Sequence, residues 1–181
     1  MNTITSSRRL AFTSLSRQRG ASLLEGIAYL GIAAIVVLGA VSLLTGAFSS
    51  AQSNRVAEEV VSIRTAVKKL YMGQSAGYPN ATSLNATLAA AKAFPSTVTV
   101  GAGGVANNAW NGPVTVSGAT NQFTIEYDLV PQDACINILS GATGWTNITA
   151  GGTAITTFPA TPESAAAACT GATNNIIWTS L

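Results

Sequence analysis

From Gly26 to Phe48 the chain runs without a charge or a proline, GIAYLGIAAIVVLGAVSLLTGAF. As a helix this stretch measures roughly 34 Å, enough to cross a hydrocarbon core about 30 Å thick. Beyond it the pattern turns periodic: Val56, Val60, Ile63, Val67 and Leu70 recur at spacings of four and three, one face of an amphipathic helix. No helix breaker interrupts residues 49–72, so the two patterns predict one helix over 22–72, roughly 76 Å long. A secretory signal would carry a shorter apolar run of about 7 to 15 residues and then stop. A helix this long exceeds what a bilayer or a small domain requires, and it has to meet other proteins along its length.

Gly73 and the Gly77-Tyr78-Pro79 cluster end the helical pattern, and the composition then shifts to Ala, Thr, Asn, Ser and Gly. A second helix is predicted over 83–93. Short strands are predicted at 97–100, 114–117, 122–130, 146–149 and 155–158, with a closing strand at 175–179 and a turn of helix at 163–168. In the best of them Phe123, Ile125, Tyr127 and Leu129 alternate with Thr124, Glu126 and Asp128, as in a sheet with one buried face. The predicted fold class is α+β: a long N-terminal helix whose C-terminal half packs on an antiparallel sheet.

Charge sharpens this picture through its placement. Of the nine Lys and Arg residues, Arg8, Arg9, Arg17 and Arg19 precede Gly20, and no acid does. Basic residues before the span and none for several residues after it orient the N-terminus to the cytoplasm and the remainder outward. Without that basic segment the chain carries five basic and seven acidic side chains, so no basic stripe for nucleic acid is expected. The 181-residue sequence contains no histidine, which removes Ser-His-Asp and Cys-His systems and most catalytic zinc sites. Neither catalysis, a metal nor a cofactor is expected.

Two further features carry chemistry, a cysteine pair in the exported part and an acid at the start of the span. Cys135 and Cys169 lie in an oxidising compartment, where a structural disulfide is favoured over free thiols or a metal pair. Glu25 is the only acid before Glu58 and sits one position before the apolar span, where burial in lipid is costly. In isolation it reads equally well as a head-group carboxylate favoured by the helix dipole.

The run Arg19-Gly20-Ala21-Ser22-Leu23-Leu24-Glu25 leading into a long apolar helix resembles a type IV prepilin. The resemblance implies a basic leader, residues 1–20, removed after Gly20 by a membrane prepilin peptidase, with N-methylation of Ala21. It implies that residues 21–48 anchor the subunit in the inner membrane and later polymerise, that 49–72 form the amphipathic half of the helix, and that 73–181 form a globular head. Glu25 then takes an assembly role: the amine created at Ala21 of one subunit meets Glu25 of a neighbour in a low-dielectric core, fixing axial register. Ala21 departs from the Phe or Met that begins many family members. That departure, the long leader and the two distant cysteines are similar to the type IVb branch, including toxin-coregulated and conjugative thin-pilus pilins. Ser62-Ile63-Arg64-Thr65-Ala66-Val67, Leu70-Tyr71-Met72-Gly73 and Gly77-Tyr78-Pro79 extend the likeness, followed by 123–131 and Asp133-Ala134-Cys135. In that branch the cysteines bracket a variable D-region, here 135–169 with Trp145, 146–149 and the 163–168 turn of helix, and this region is expected to carry surface contacts.

The implied partners are other copies of the chain in a helical homopolymer, the peptidase, an assembly ATPase with its inner-membrane platform, the membrane before assembly, and a receptor on a host or recipient cell. The implied location is the bacterial inner membrane and then an extracellular pilus serving adhesion, aggregation or conjugation. A type II secretion pseudopilin or minor pilin is the rival within the family, and a monomeric membrane-anchored binding protein the rival outside it. Other signals are weaker. The small residues of the apolar run fit close helix approach, with Gly39 and Gly46 as places to bend. Arg55, Glu58, Glu59, Arg64, Lys68 and Lys69 read as a solvated face, with Arg55 in reach of Glu58 or Glu59. The three Asn-x-Thr sequences, at 80, 85 and 147, and the 101–104 glycine cluster are discounted, as are Glu126 and Asp128 as a catalytic pair. If the leader is removed as expected, mass analysis of sheared surface filaments will give a subunit beginning at methylated Ala21. A mature chain that keeps its leader contradicts this.

Overall fold

The computed structural model describes residues 22–181. The leader, Gly20 and Ala21 lie outside the described residues. The chain divides into two units at the boundary between Ser42 and Leu43. Helix α1 runs from Leu23 to Tyr71 without a break at Gly39 or Gly46. It ends because Gly73 adopts φ +84°, a left-handed backbone that glycine enters without steric cost, and the Gln74 amide turns back to the Tyr71 carbonyl.

Within residues 43–181, α1 is followed by β1 (Tyr78–Ala81), α2 (Asn85–Ala90), β2 (Thr99–Val100), β3 (Ala106–Asn107), β4 (Pro113–Thr120), β5 (Gln122–Pro131), α3 (Gln132–Gly141), β6 (Asn147–Ala150), β7 (Thr153–Ile155), α4 (Pro162–Ala168) and β8 (Thr173–Ser180). The strands form one antiparallel sheet in the order β2-β3-β4-β5-β8-β6-β7, and β1 pairs with β4 beside β3. Close approach of β1 to β4 requires Gly118, where a Cβ would strike the Pro79 carbonyl. Between β3 and β1, β4 would expose unpaired backbone. Leu84 N–H donates to the Val116 carbonyl, Asn85 Nδ2 donates to the Val114 carbonyl, and Asn85 Oδ1 accepts from Val116 N–H, at 2.6 to 2.9 Å, so the ladder is completed by a side chain. The Asn85 amide is thereby occupied.

One face of the sheet, with Val114, Val116, Phe123, Ile125, Tyr127, Ile148, Ile176 and Trp178, is buried. Val56, Val60, Ile63 and Val67 of α1 pack against it as the periodicity predicts, whereas Leu70 is 37% exposed. The Cys135–Cys169 disulfide joins α3 to the end of α4 and closes 34 positions of chain. Loop-closure entropy gives such a bridge roughly 3 to 4 kcal/mol.

Several expected boundaries move. The second helix is Asn85–Ala90 rather than 83–93. The first predicted strand shrinks to Thr99–Val100, and the one at 155–158 lies instead at Thr153–Ile155, ahead of the Phe158-Pro159 peptide, which is cis. The alternation along β5 breaks at Leu129, which has φ +57° and is 49% exposed while Val130 is buried. A register shift between Tyr127 and Val130 places an extra residue there, a bulge that turns Leu129 outward. The whole of α3 goes unpredicted, although Ala134, Cys135, Ile138 and Leu139 are buried at helical spacing.

Ile63 is fully buried and Val61 half-exposed on the same helix. Ile63→Ala is expected to lower unfolding stability of the detergent-solubilised chain by about 2 to 5 kcal/mol in urea titrations, and Val61→Ala by less than about 0.5 kcal/mol.

Candidate assembly surface and helix anchor

Residues 22–42 contain the first candidate site. Ser22 precedes α1, and its Oγ accepts the Glu25 N–H at 3.2 Å, an N-terminal cap. Glu25 lies in the first turn and is exposed, with Oε1 accepting from the Tyr29 hydroxyl at 3.3 Å. Around and beyond it the apolar side chains are bare: Leu23 is 85% exposed, Leu30 72% and Ile35 73%. α1 contains an 18-residue window of mean hydropathy 2.5, none of it buried. It is the only helix among the described residues long and apolar enough to cross a membrane. A surface of this size and character is unstable in water and calls for lipid or other protein. The amine that would face Glu25 belongs to Ala21 and lies outside the described residues.

The second site, within residues 43–181, fixes α1 to the sheet. Glu59 was expected on a solvated face, but it is 2% exposed. Its position on the helix turns it toward β5, where its Oε2 accepts from the Tyr127 hydroxyl at 3.3 Å. Arg55 Nε donates to Glu59 Oε1 at 3.2 Å, and Arg55 Nη2 reaches the Thr97 carbonyl at 2.9 Å, ahead of β2. A carboxylate this deep is held by an ion pair and a phenol, because an unpaired one would be costly. Burial first, then the charge and hydrogen bond of Glu59, push the Tyr127 phenol far above its ordinary range.

Arg64 also departs from the expected solvated face. Its guanidinium stacks 4.7 Å from the ring centre of Trp145 and its Nε donates to Ser180 Oγ at 3.1 Å. Within the D-region, which as a whole is expected to carry surface contacts, Trp145 itself points inward: it is 8% exposed, covered by Trp178 and Arg64. Glu58, Lys68 and Lys69 are exposed, as expected of that face. At the start of the head, Ser49 hydrogen-bonds the Asp133 carboxylate and links α1 to α3.

Glu126 and Asp128 share the open face of the sheet. Asn175 Nδ2 donates to Glu126 Oε1 at 2.5 Å and to Asp128 Oδ1 at 2.6 Å, so an amide bridges the two acids. Among the described residues no group of three or more Asp, Glu, Cys or His side chains is placed to hold a metal.

A long amino-terminal helix seated on an antiparallel sheet, with an apolar first half and a disulfide-bonded loop, defines the type IV pilin class. Residues 50–181 match the family model described as PilS N terminal, and the chain belongs to that family. Its structure is similar to that of the type IV b pilin from Salmonella typhi, with TM-score 0.53 and 26% identity, over 65% of this chain and 91% of that one. It is also similar to TcpA, a type IV pilin from Vibrio cholerae El Tor biotype, with TM-score 0.52 and 14% identity, over 72% of this chain and 99% of that one. The second likeness is one of fold alone. Comparison with curated proteins gives no match. The chain is a pilin-class structural protein, and its apolar N-terminal helix suits membrane anchoring.

The Tyr127 phenol binds its proton more tightly in the folded chain than in the unfolded one, where it titrates near 10. Its contribution is complete below pH about 10 and declines as pH rises beyond that, by up to about 1.4 kcal/mol per unit. Tyr127→Phe is expected to flatten this alkaline limb of the melting temperature. It should also cost about 1 to 3 kcal/mol at neutral pH, because Glu59 loses its donor.

Proposed function

We propose that this chain is the major subunit of a type IVb pilus, stored in the inner membrane by α1 and polymerised through the same helix into a surface filament. The observation that carries the reading is the bare apolar half of α1 on a chain whose head buries its own core. Lipid covers that surface in the stored subunit, and neighbouring helices cover it in the filament. The transfer is from one apolar medium to another, so association draws on packing and polar pairing more than on release of water.

In this reading prepilin peptidase cleaves after Gly20, Ala21 is methylated, and the new amine pairs with Glu25 of an adjacent subunit. An assembly ATPase working through an inner-membrane platform supplies the extraction work. The D-region between Cys135 and Cys169 then meets the outside. Glu163 is its only charged side chain, so contacts there depend on hydroxyl and amide groups rather than ion pairs. Adhesion, aggregation or conjugation follows from the partner such a surface meets.

Glu25→Ala is expected to abolish surface filaments while leaving membrane-bound subunit at its normal level, because it leaves an amine unpaired in the polymer, whereas the buried core of the head is built from residues 43–181 alone. Electron microscopy of sheared material, set beside immunoblots of membranes, tests this. Cross-linking of intact cells should give a ladder of multimers for the unaltered chain, and monomer alone would refute polymerisation.

A further inference from the structure

We propose that Tyr29 is a positioning residue for the Glu25 carboxylate, holding one oxygen and reserving the other for a cationic group of a second copy. The inference rests on the assembly reading above and adds to it a residue on the same helix.

The starting point is a local pattern that the structure completes only by half. Ser22-Leu23-Leu24-Glu25 has the spacing of a capping box, in which the serine takes the glutamate's amide and the glutamate side chain returns to the serine's amide. The first bond is made, Glu25 N–H to Ser22 Oγ at 3.2 Å. The second is not made among the described residues; Oε1 instead accepts from the Tyr29 hydroxyl at 3.3 Å, one turn further along α1. The carboxylate is thus drawn away from the helix end. Among the described residues Oε2 has no hydrogen-bond partner.

Sequence and energetics point the same way. From Gly26 to Val41 every side chain except that of Tyr29 is apolar or absent. The one hydroxyl of that stretch therefore stands at the i+4 position from the one charge, where side chains on a helix meet. An ionised carboxyl accepts hydrogen bonds and cannot donate them, so beside an apolar span it needs a donor. Tyr29 supplies one from the same chain. That donor travels with Glu25 when lipid is exchanged for neighbouring helices, and no stage of the transfer leaves the acid wholly unsolvated. With Oε1 fixed, the side chain has less freedom to lose when Oε2 meets an ammonium group.

Tyr29→Phe keeps the ring and removes only the hydroxyl. In cells producing the full chain, it is expected to lower sheared filament per membrane-bound subunit about tenfold, the scale of one hydrogen bond to a charged group. In phosphatidylcholine vesicles holding the purified full chain, the Glu25 carboxylate infrared band is identified as the one lost in Glu25→Gln. That band should shift in Tyr29→Phe. Loss of an aromatic membrane anchor would leave it in place. An unmoved band, or filament within about twofold of the unaltered chain, overturns the proposal. Glu25→Gln that still forms normal filaments instead overturns the assembly reading, so the two failures are separable.

Discussion

Burial of one stripe of α1 against the sheet is the constraint on which the head depends. Val56, Val60, Ile63 and Val67 fill the hollow left by β4, β5 and β8, and without them Phe123, Ile125 and Trp178 would face water. The stripe is not wholly apolar, because Glu59 is buried within it. Tyr127 and Arg55 answer that carboxylate from two sides, one on the sheet and one on the helix itself. The polar contact adds direction to an apolar face that would otherwise tolerate sliding, since a valine can shift past its neighbours more easily than a buried carboxylate can leave its donors. Arg64 repeats the arrangement further along the helix through Trp145 and Ser180.

The same helix serves two environments, and the sequence divides them cleanly. From Gly26 to Phe48 the side chains are uncharged and nearly all apolar on every face, which suits lipid or other helices; from Ser49 one face is apolar and the other polar, which suits a sheet on one side and water on the other. Family membership and the pilin fold accord with that division.

Much of this is legible in the sequence. A helical period over 56–67 and a two-residue period over 123–127 are strong signals because each describes a surface buried on one side only. The long helix and the central strands follow from them. What escapes is set by contacts distant in sequence. Glu59 looks like any exposed helical acid until Tyr127, 68 positions later, is folded over it. Trp145 sits among threonines and glycines that read as surface, and only Arg64 and Trp178 show why it is inside. Leu129 continues an alternation that a single left-handed residue cancels. Helix α3 is hidden for another reason: its Ile and Asn residues favour other conformations in isolation, and tertiary packing overrides them. The capping spacing at Ser22 and Glu25 and the one-turn spacing to Tyr29 both stand in the sequence, but the choice between them is made by where the carboxylate turns.

Strand β8 follows every other strand in sequence yet lies between β5 and β6, bonded to both. A growing polypeptide therefore makes half a sheet, then a disulfide-bearing excursion, and can zip the halves together only when residues 173–180 emerge. Such late, long-range closure slows folding. It also means that a chain lacking residues 173–180 would leave β5 and β6 each with a bare, unpaired edge, the kind of surface on which strands of separate molecules join.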